Sequence, residues 1–120
     1  MNQRSELGQF GEEKACEYLT SLGYCILERN YRTRLGEIDI IALKNQVLTF
    51  VEVKTRRSCV YGRPAEAVTK AKQRKIHLCA EVYLQHCHLL EHMPQLSFDV
   101  IEIIKGPRGI QYFYHYQHCF

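Results

Sequence analysis

The stretch GEIDIIALKNQVLTFVEVKTR, residues 36–56, predicts a β-hairpin. Its two halves are rich in Ile, Val and Phe, which favour extended structure, and we expect strands at 37–43 and 47–54. The polar residues 44–46 separate the two halves and predict a tight turn. The hairpin therefore predicts the centre of a sheet, to which the flanking segments add further elements.

Asp39, Glu52 and Lys54 are charged residues that interrupt the apolar runs of this hairpin. Glu52 and Lys54 share a face because side chains alternate along a strand. If residues 45–46 form a two-residue turn, Asp39 lies directly opposite Glu52, and if residues 44–45 form it, Asp39 lies diagonal to Glu52. Both registers place the three charges on one side of the sheet, whereas a simple three-residue turn would not.

This charge cluster has two interpretations, because neighbouring carboxylates repel each other unless a cation lies between them. In the first, Lys54 balances part of the charge in an internal ion-pair network. In the second, Asp39 and Glu52 hold a divalent metal ion, since Mg²⁺ prefers a few carboxylates together with water and phosphate oxygens. Lys54 would then orient or activate the attacking water and offset charge on a phosphate. The spacing favours the metal site over the network.

The flanking sequence predicts the order α-β-β-β-α-β-β in a single domain that spans residues 1–120. Hydrophobic periodicity predicts two helices, at 5–22 and 64–86, with Gly23 ending the first and Pro64 beginning the second. Further strands are expected at 24–30, 96–104 and 110–116. The predicted fold class is α/β, with a mixed sheet flanked by two helices.

Two adjacent glutamates on the first helix have different predicted environments. At about 100° per residue, Ala15 and Leu19 lie on the apolar side of the helix. Glu12 lies at the border of that side, one step from Leu19, whereas Glu13 projects toward water. We therefore expect Glu12 near the core.

The charge distribution predicts a polyanionic partner. The formal net charge is +3, yet residues 54–75 alone contain eight basic residues and one acidic residue. Such a block suits nucleic acid, although a solvated basic helix face explains this feature equally well. Lys72 lies near the apolar stripe of the second helix, so it either snorkels past the stripe's edge or points toward the acidic hairpin. The candidate nucleic-acid contacts are Arg32, Arg34, Arg56, Arg57, Lys70, Lys72, Arg74 and Lys75.

Composition and terminal sequence indicate a cytoplasmic protein without a membrane partner, because no apolar run is long enough to span a bilayer and no secretory signal is visible. The six cysteines are accordingly expected as reduced thiols. Three tyrosines, at 112, 114 and 116, share one face of the last strand, where packing is favoured over a stacking platform for bases. His115 and His118 are expected at the surface without partners.

Asp39, followed by Glu52-Val53-Lys54 on the next strand, resembles the D…E-x-K signature of the PD-(D/E)XK nuclease superfamily. More narrowly, GEIDIIA…TFVEVKTR is similar to the YraN family of small bacterial proteins. The similarity extends to GQFGEEKACEYLTSLGYCILERNYRTR before the hairpin, and to YGRPAEAV and FDVIEI after it. Two positions depart from the pattern: Ile38 replaces a proline, and Ser97 replaces an arginine that many relatives carry.

This resemblance implies a restriction-endonuclease-like αβββαβ core, with Asp39 and Glu52 as ligands of Mg²⁺ or Mn²⁺. It also implies that Lys54 is the catalytic lysine. Similarity to archaeal Holliday-junction resolvases adds Glu12 to the catalytic set. Because Ser97 stands where an arginine is expected, one cationic contact of the family is in question.

The leading hypothesis is a metal-dependent phosphodiesterase of nuclease type that acts on DNA, including branched or structured DNA, with DNA favoured over RNA. It would recognise the backbone rather than the sequence, because phosphate contacts position a protein without specifying bases. The sequence leaves a homodimer open. The alternative is a nucleic-acid-binding module of the same fold with little or no turnover. A third hypothesis is a partner-binding protein whose charged hairpin is an internal ion-pair network.

Overall fold

The computed structural model describes residues 5–57, 68–88 and 92–120. These residues form a five-stranded sheet and two helices, which confirms the expected α/β class. The elements are α1 (Glu6–Ser21), β1 (Cys25–Thr33), β2 (Gly36–Lys44), β3 (Val47–Arg56), α2 (Lys70–His86), β4 (Gln95–Gly106) and β5 (Gly109–Tyr116).

The sheet is mixed, with the strand order β1-β2-β3-β4-β5. All neighbouring strands are antiparallel except β3 and β4, which are parallel. A parallel pair needs a crossover connection, and α2 lies in that connection. The carboxyl ends of β1, β3 and β4 therefore lie beside the amino ends of β2 and β5. We call this end of the sheet, where the five strand ends lie together, the site edge.

The central hairpin has the first of the two predicted registers. β2 and β3 pair from Lys44↔Val47 to Ile40↔Val51, which leaves residues 45–46 as a two-residue turn. Asn45 and Gln46 have φ values of 51° and 66°. Positive φ at both central residues is the geometry of the type I′ turn, whose twist matches that of the flanking strands.

The two helices pack on opposite faces of the sheet. On the α1 face, Ala15 and Leu19 pack with side chains of β2, β3 and β4 such as Ile40 and Val51. On the α2 face, Ile76, Cys79 and Tyr83 pack with side chains that include Phe50. Phe50 and Val51 are consecutive, so the alternation of β3 supplies both clusters.

The ends of the helices follow local capping chemistry. Ser5 caps α1, and the predicted stop is confirmed, because Gly23 has a φ of 95° and the Tyr24 N–H donates to the Leu19 carbonyl. The predicted start of the second helix at residue 64 is wrong. Thr69 is extended and its side chain accepts from the Lys72 N–H, so it caps a helix that begins at Lys70. Pro64 itself lies outside the described residues.

Within residues 5–57, 68–88 and 92–120, no helix combines the length and apolar character needed to cross a membrane.

Candidate functional site

Asp39 and Glu52 place two carboxyl groups side by side near the site edge. The hydrogen-bonded ladder between β2 and β3 ends at Ile40↔Val51. One residue further, Asp39 Oδ2 accepts a hydrogen bond of 2.8 Å from the backbone N–H of Val53. Both acids are only 7 % exposed, and a hydrogen bond links their carboxyl groups. The structure therefore brings together the two residues that the sequence analysis assigns as metal ligands.

The electrostatics of this pair show a shortage of positive charge. The pKa of Asp39 is raised to about 8, first by burial and then by the negative charge of Glu52, with a smaller contribution from Glu12. The hydrogen bond from the Val53 N–H acts in the opposite direction. Ionising both carboxyl groups together therefore requires an additional cation.

Two lysines adjoin the acids. Lys72 Nζ lies 3.1 Å from Glu52 Oε1, so Lys72 points from α2 toward the acidic hairpin rather than only snorkelling to solvent. Burial lowers the pKa of Lys54, and the neighbouring Lys72 lowers it further. Burial also disfavours the charged form of Lys72, but contacts with Lys54 and Glu52 outweigh it and raise its pKa. Lys72 is thus the cation held next to Glu52. Lys54 lies close enough to Lys72 that the positive charge of Lys72 lowers its pKa.

Glu12 approaches the site from α1. It is buried, whereas Glu13 is exposed, as the helical periodicity predicts. The preceding Gly11 allows α1 to lie very close to β3, since a Cβ at Gly11 would fall 1.8 Å from Thr55 Oγ1. This close approach brings the charge of Glu12 near enough to raise the pKa of Asp39.

The acid pair, Asp39 and Glu52, suits a divalent metal ion that is bound by two carboxylates, and not one that is bound by three or more protein ligands. Among the described residues, no group of three or more His, Cys, Asp or Glu side chains is arranged to hold a metal ion, so Glu12 is not placed with the pair as a preformed third ligand. Mg²⁺, however, is commonly bound by one or two carboxylates, with waters and substrate phosphates completing its coordination. Asp39 and Glu52 supply that number of carboxylates, and their shared need for positive charge matches such an ion.

Most of the predicted basic contacts lie around the site edge. Arg32 is near the end of β1 and Arg56 ends β3. Arg32 also forms an exposed ion pair with Glu37, with 3.2 Å between Nε and Oε2. Lys72 differs from the others because it contacts the acid pair directly. The exposed members of the set are Arg32, Arg34, Arg57, Lys70, Arg74 and Lys75.

A buried polar network on the α1 face is absent from the sequence prediction. The side chain of His115 is only 4 % exposed, and its Nε2 lies 2.6 Å from Asp99 Oδ2. Its Nδ1 lies 2.9 Å from the Tyr18 hydroxyl. The expectation of a surface His115 is therefore wrong. The alternation of side chains along β5 could have predicted this burial, because it places His115 on the face opposite Tyr114 and Tyr116, toward α1.

Ser97 and His118 extend this network to Asp99. The Ser97 hydroxyl donates to Asp99 Oδ1, and the His118 N–H donates to the same oxygen over 3.1 Å. Burial alone would raise the pKa of Asp99, but the hydrogen bonds from His115, Ser97 and His118 lower it. His118 is exposed as expected, yet its ring also contacts Ser97, so the expectation that it lacks partners is wrong.

Comparison with known sequences assigns the family. The profile described as "Uncharacterised protein family UPF0102" matches residues 11–103. The chain belongs to the UPF0102 family. This is the YraN-like family that the sequence resembles, and the matched range includes Glu12, the acid pair and both lysines.

Curated relatives of the UPF0102 family match nearly the whole chain. The UPF0102 protein of Symbiobacterium thermophilum is 52% identical over 103 residues, which cover 86% of each chain. Those of Caldicellulosiruptor saccharolyticus and Dictyoglomus turgidum are 50% and 45% identical over 109 residues, which cover 91% of this chain and 90% of theirs. These organisms are bacteria, in agreement with the family that the sequence resembles.

Proposed function

We propose that this UPF0102 protein is a metal-dependent phosphodiesterase of nuclease type that acts on DNA, within the PD-(D/E)XK superfamily. The observation that carries the proposal is the buried Asp39–Glu52 pair, which needs a cation and adjoins two lysines. Perturbed pKa values from burial and specific charge partners are typical of functional sites. A sheet edge with exposed arginines and lysines surrounds this pair and suits a polyanion.

Each residue of the site has a role in this proposal. Asp39 and Glu52 would hold Mg²⁺ or Mn²⁺, and Glu12 adds negative charge behind them. When bound, such an ion would polarise the phosphate and make water a stronger nucleophile. Lys54 would orient the attacking water and accept its proton, because a lowered pKa increases the fraction of neutral amine. Lys72 holds the Glu52 carboxylate in place and offsets charge on the phosphate.

The basic residues of the site edge would bind the DNA backbone. Phosphate contacts position a protein on DNA without reading its bases, so we expect recognition of DNA shape, including branched or structured DNA. No single basic residue is required for this binding, because the positive charges surround the site on several elements.

The test is cleavage of linear, nicked, flapped and four-way DNA in the presence of Mg²⁺ or Mn²⁺. The parent protein should cut at least one of these substrates. Asp39→Asn and Glu52→Gln should each lower the rate because they remove a metal ligand. Lys54→Ala should lower it by roughly a hundredfold or more, because general acid–base catalysis contributes about 10²–10⁴-fold. The matched control for Glu12→Gln is Glu13→Gln, which changes the exposed neighbouring glutamate and should leave the rate unchanged. Lys72→Met should lower the rate, whereas Lys44→Met, at the opposite end of β2, should not.

A second candidate function is a nucleic-acid-binding module with little or no turnover. It is favoured by the exposed basic residues around the site edge, which suit a polyanion whether or not that polyanion is cut. Salt-dependent DNA binding without cleavage of any substrate, under either metal, would support this candidate and overturn the catalytic proposal.

A further inference from the structure

A cavity of about 200 Å³ lies on the α2 face of the sheet, and Val100 in its wall pairs with Glu52 in the ladder of β3 and β4. Gln73 of α2, Glu102 of β4 and Tyr116 of β5 line it, together with Val68, Val100, Cys119 and Phe120. Glu102 pairs with Lys54 in the parallel register of β3 and β4. Neighbouring strands are about 4.8 Å apart, so the backbone that carries Glu102 lies directly beside that of Lys54.

Glu102 is an unusual residue for the wall of a cavity. It is 0 % exposed, and neither of its carboxylate oxygens has a hydrogen-bond partner with good geometry among the described residues. Burial raises its pKa, and the nearby Arg56 charge and Tyr116 hydroxyl oppose this rise only in part. Buried polar groups are almost always hydrogen-bonded, so these two oxygens retain the capacity to accept a further donor.

A row of tyrosines continues from this cavity along β5. The tyrosine row consists of Tyr112, Tyr114 and Tyr116, which lie on the same face as Glu102 because Tyr114 pairs with Glu102. The rings of Tyr114 and Tyr116 are 4.5 Å apart between centroids, and those of Tyr112 and Tyr114 are 6.4 Å apart and nearly parallel. Tyr114 is 52 % exposed, so a broad aromatic surface faces solvent beside the cavity.

We propose that the cavity and the tyrosine row form a subsite for one unpaired nucleobase that bears an exocyclic amine. The amine donates to the Glu102 carboxyl group, and the base stacks against the ring of Tyr114 or Tyr116. The cavity is smaller than the roughly 300–1,000 Å³ typical of pockets for drug-sized ligands, which fits a single flat ring system. Aromatic side chains beside a buried hydrogen-bonding group are the usual means of holding an unstacked base.

This inference rests on the proposed function and deepens it by naming a substrate class. A base held beside Lys54 must come from a nucleotide near the phosphate at the acid pair. A paired and stacked base cannot enter the cavity, so the substrate contains a single-stranded segment, as in a flap, a gap or an open junction. The basic residues of the site edge bind the backbone of either form, whereas the subsite distinguishes the two.

The experiment measures the fluorescence anisotropy of labelled DNA strands. Each strand is abasic at every position except one central nucleotide, which carries a base. EDTA is present so that no strand is cut. The comparison strand is wholly abasic and has the same phosphate charge. Strands with adenine or cytosine should bind the parent protein roughly tenfold more tightly than the abasic strand, in line with the stacking free energy of one base. Thymine, which lacks the amine, should give an intermediate affinity.

Two variants separate the parts of the subsite. Tyr114→Ala should remove most of the advantage of any base over the abasic strand, whereas Ile110→Ala, an exposed residue of the same strand outside the tyrosine row, should retain it. Glu102→Leu should abolish the preference for adenine and cytosine over thymine while leaving stacking in place. It should also melt no lower than the parent, since it removes an unsatisfied buried carboxyl group.

The results distinguish this inference from the proposed function. Equal affinity of the parent for base-bearing and abasic strands, with binding that still weakens as salt rises, would overturn the subsite and leave the nuclease proposal intact. Failure to bind any strand, together with failure to cleave any DNA, would overturn both.

Discussion

At the scale of single residues, the ionisation of Asp39 links the site to the stability of the protein. Its pKa is about 8 in the folded chain, against an ordinary value of 3.8. Between these values the native state binds more protons than the unfolded state, so the free energy of unfolding falls as the pH rises. The effect is complete above the folded pKa. Ionised Asp39 therefore costs stability in the absence of metal.

Asp39→Asn should remove this pH dependence, because the amide imitates the protonated acid and its oxygen can still accept from the Val53 N–H. In EDTA, the free energy of unfolding of the variant relative to the parent should rise by up to a few kcal/mol between about pH 4 and pH 8, and then level off. Urea denaturation across this range measures it. Parallel curves for the two proteins would contradict the raised pKa of Asp39, and Glu13→Gln serves as the control that should remain parallel to the parent.

The residue scale also shows what sequence reasoning can predict. The helical periodicity predicts the burial of Glu12, because the position of a residue around a helix axis depends on the helix alone. For Lys72 the sequence leaves two directions open, toward solvent or toward the acidic hairpin, because the direction of the side chain depends on how α2 packs over β3. His115 is predicted wrongly, because its partners Asp99 and Tyr18 come from two other elements that only the tertiary fold brings together.

At the scale of elements, the contact between α1 and β3 positions Glu12. Gly11→Ala would place a methyl group 1.8 Å from Thr55 Oγ1, so the helix must move away from the strand. Overpacking of this kind costs roughly 1–3 kcal/mol, and chemical denaturation should show a loss of that order. Thr55→Ala in the same chain should restore part of the loss by removing the nearest atom. An unchanged stability for Gly11→Ala would show that the close packing does not hold in solution.

Most helices and strands were predictable from the sequence. The error lies at the start of α2, where the capping residue sets the boundary. The hydrophobic pattern of residues 36–56 predicts that the three charges share a face, but it leaves two registers open, and the structure has the one with residues 45–46 as the turn. The start of α2 is predicted wrongly at Pro64, because the prediction relied on the preference of proline for the first turn and did not consider Thr69 as the cap. The strands β1, β4 and β5 each extend beyond their predicted bounds, since pairing with neighbours prolongs them.

At the scale of the whole molecule, the distribution of positive charge predicts how the protein binds DNA. If the exposed basic residues contact phosphates, the logarithm of the binding constant should fall with the logarithm of salt concentration by about 0.9 for each phosphate neutralised. Lys70→Glu and Arg74→Glu should weaken binding to all DNA sequences alike and make this slope shallower. Lys44→Glu, a reversal at the far end of β2, is the matched control. A slope that is the same for all four proteins would contradict the assigned interface.

The tertiary structure includes both features that the sequence predicts well and features that it does not predict. Alternating strands and amphipathic helices predict the α/β class, and the D…E-x-K spacing predicts that Asp39 and Glu52 meet. The burial of the Glu102 carboxyl group was not predicted, because it depends on the packing of α2, β5 and residues 119–120 around one cavity. Long-range packing of this kind leaves no short signal in the sequence.

The measurement that tests the central claim most directly is the melting temperature with increasing Mn²⁺ or Mg²⁺. A ligand that binds only the folded state stabilises it by about 2.7 kcal/mol at a hundred times its dissociation constant, so the melting temperature of the parent should rise with metal concentration. Asp39→Asn and Glu52→Gln should show no such rise, while Glu13→Gln should behave as the parent. No response of the parent to either metal, or an equal response of the Asp39→Asn variant, would contradict a metal site at the acid pair.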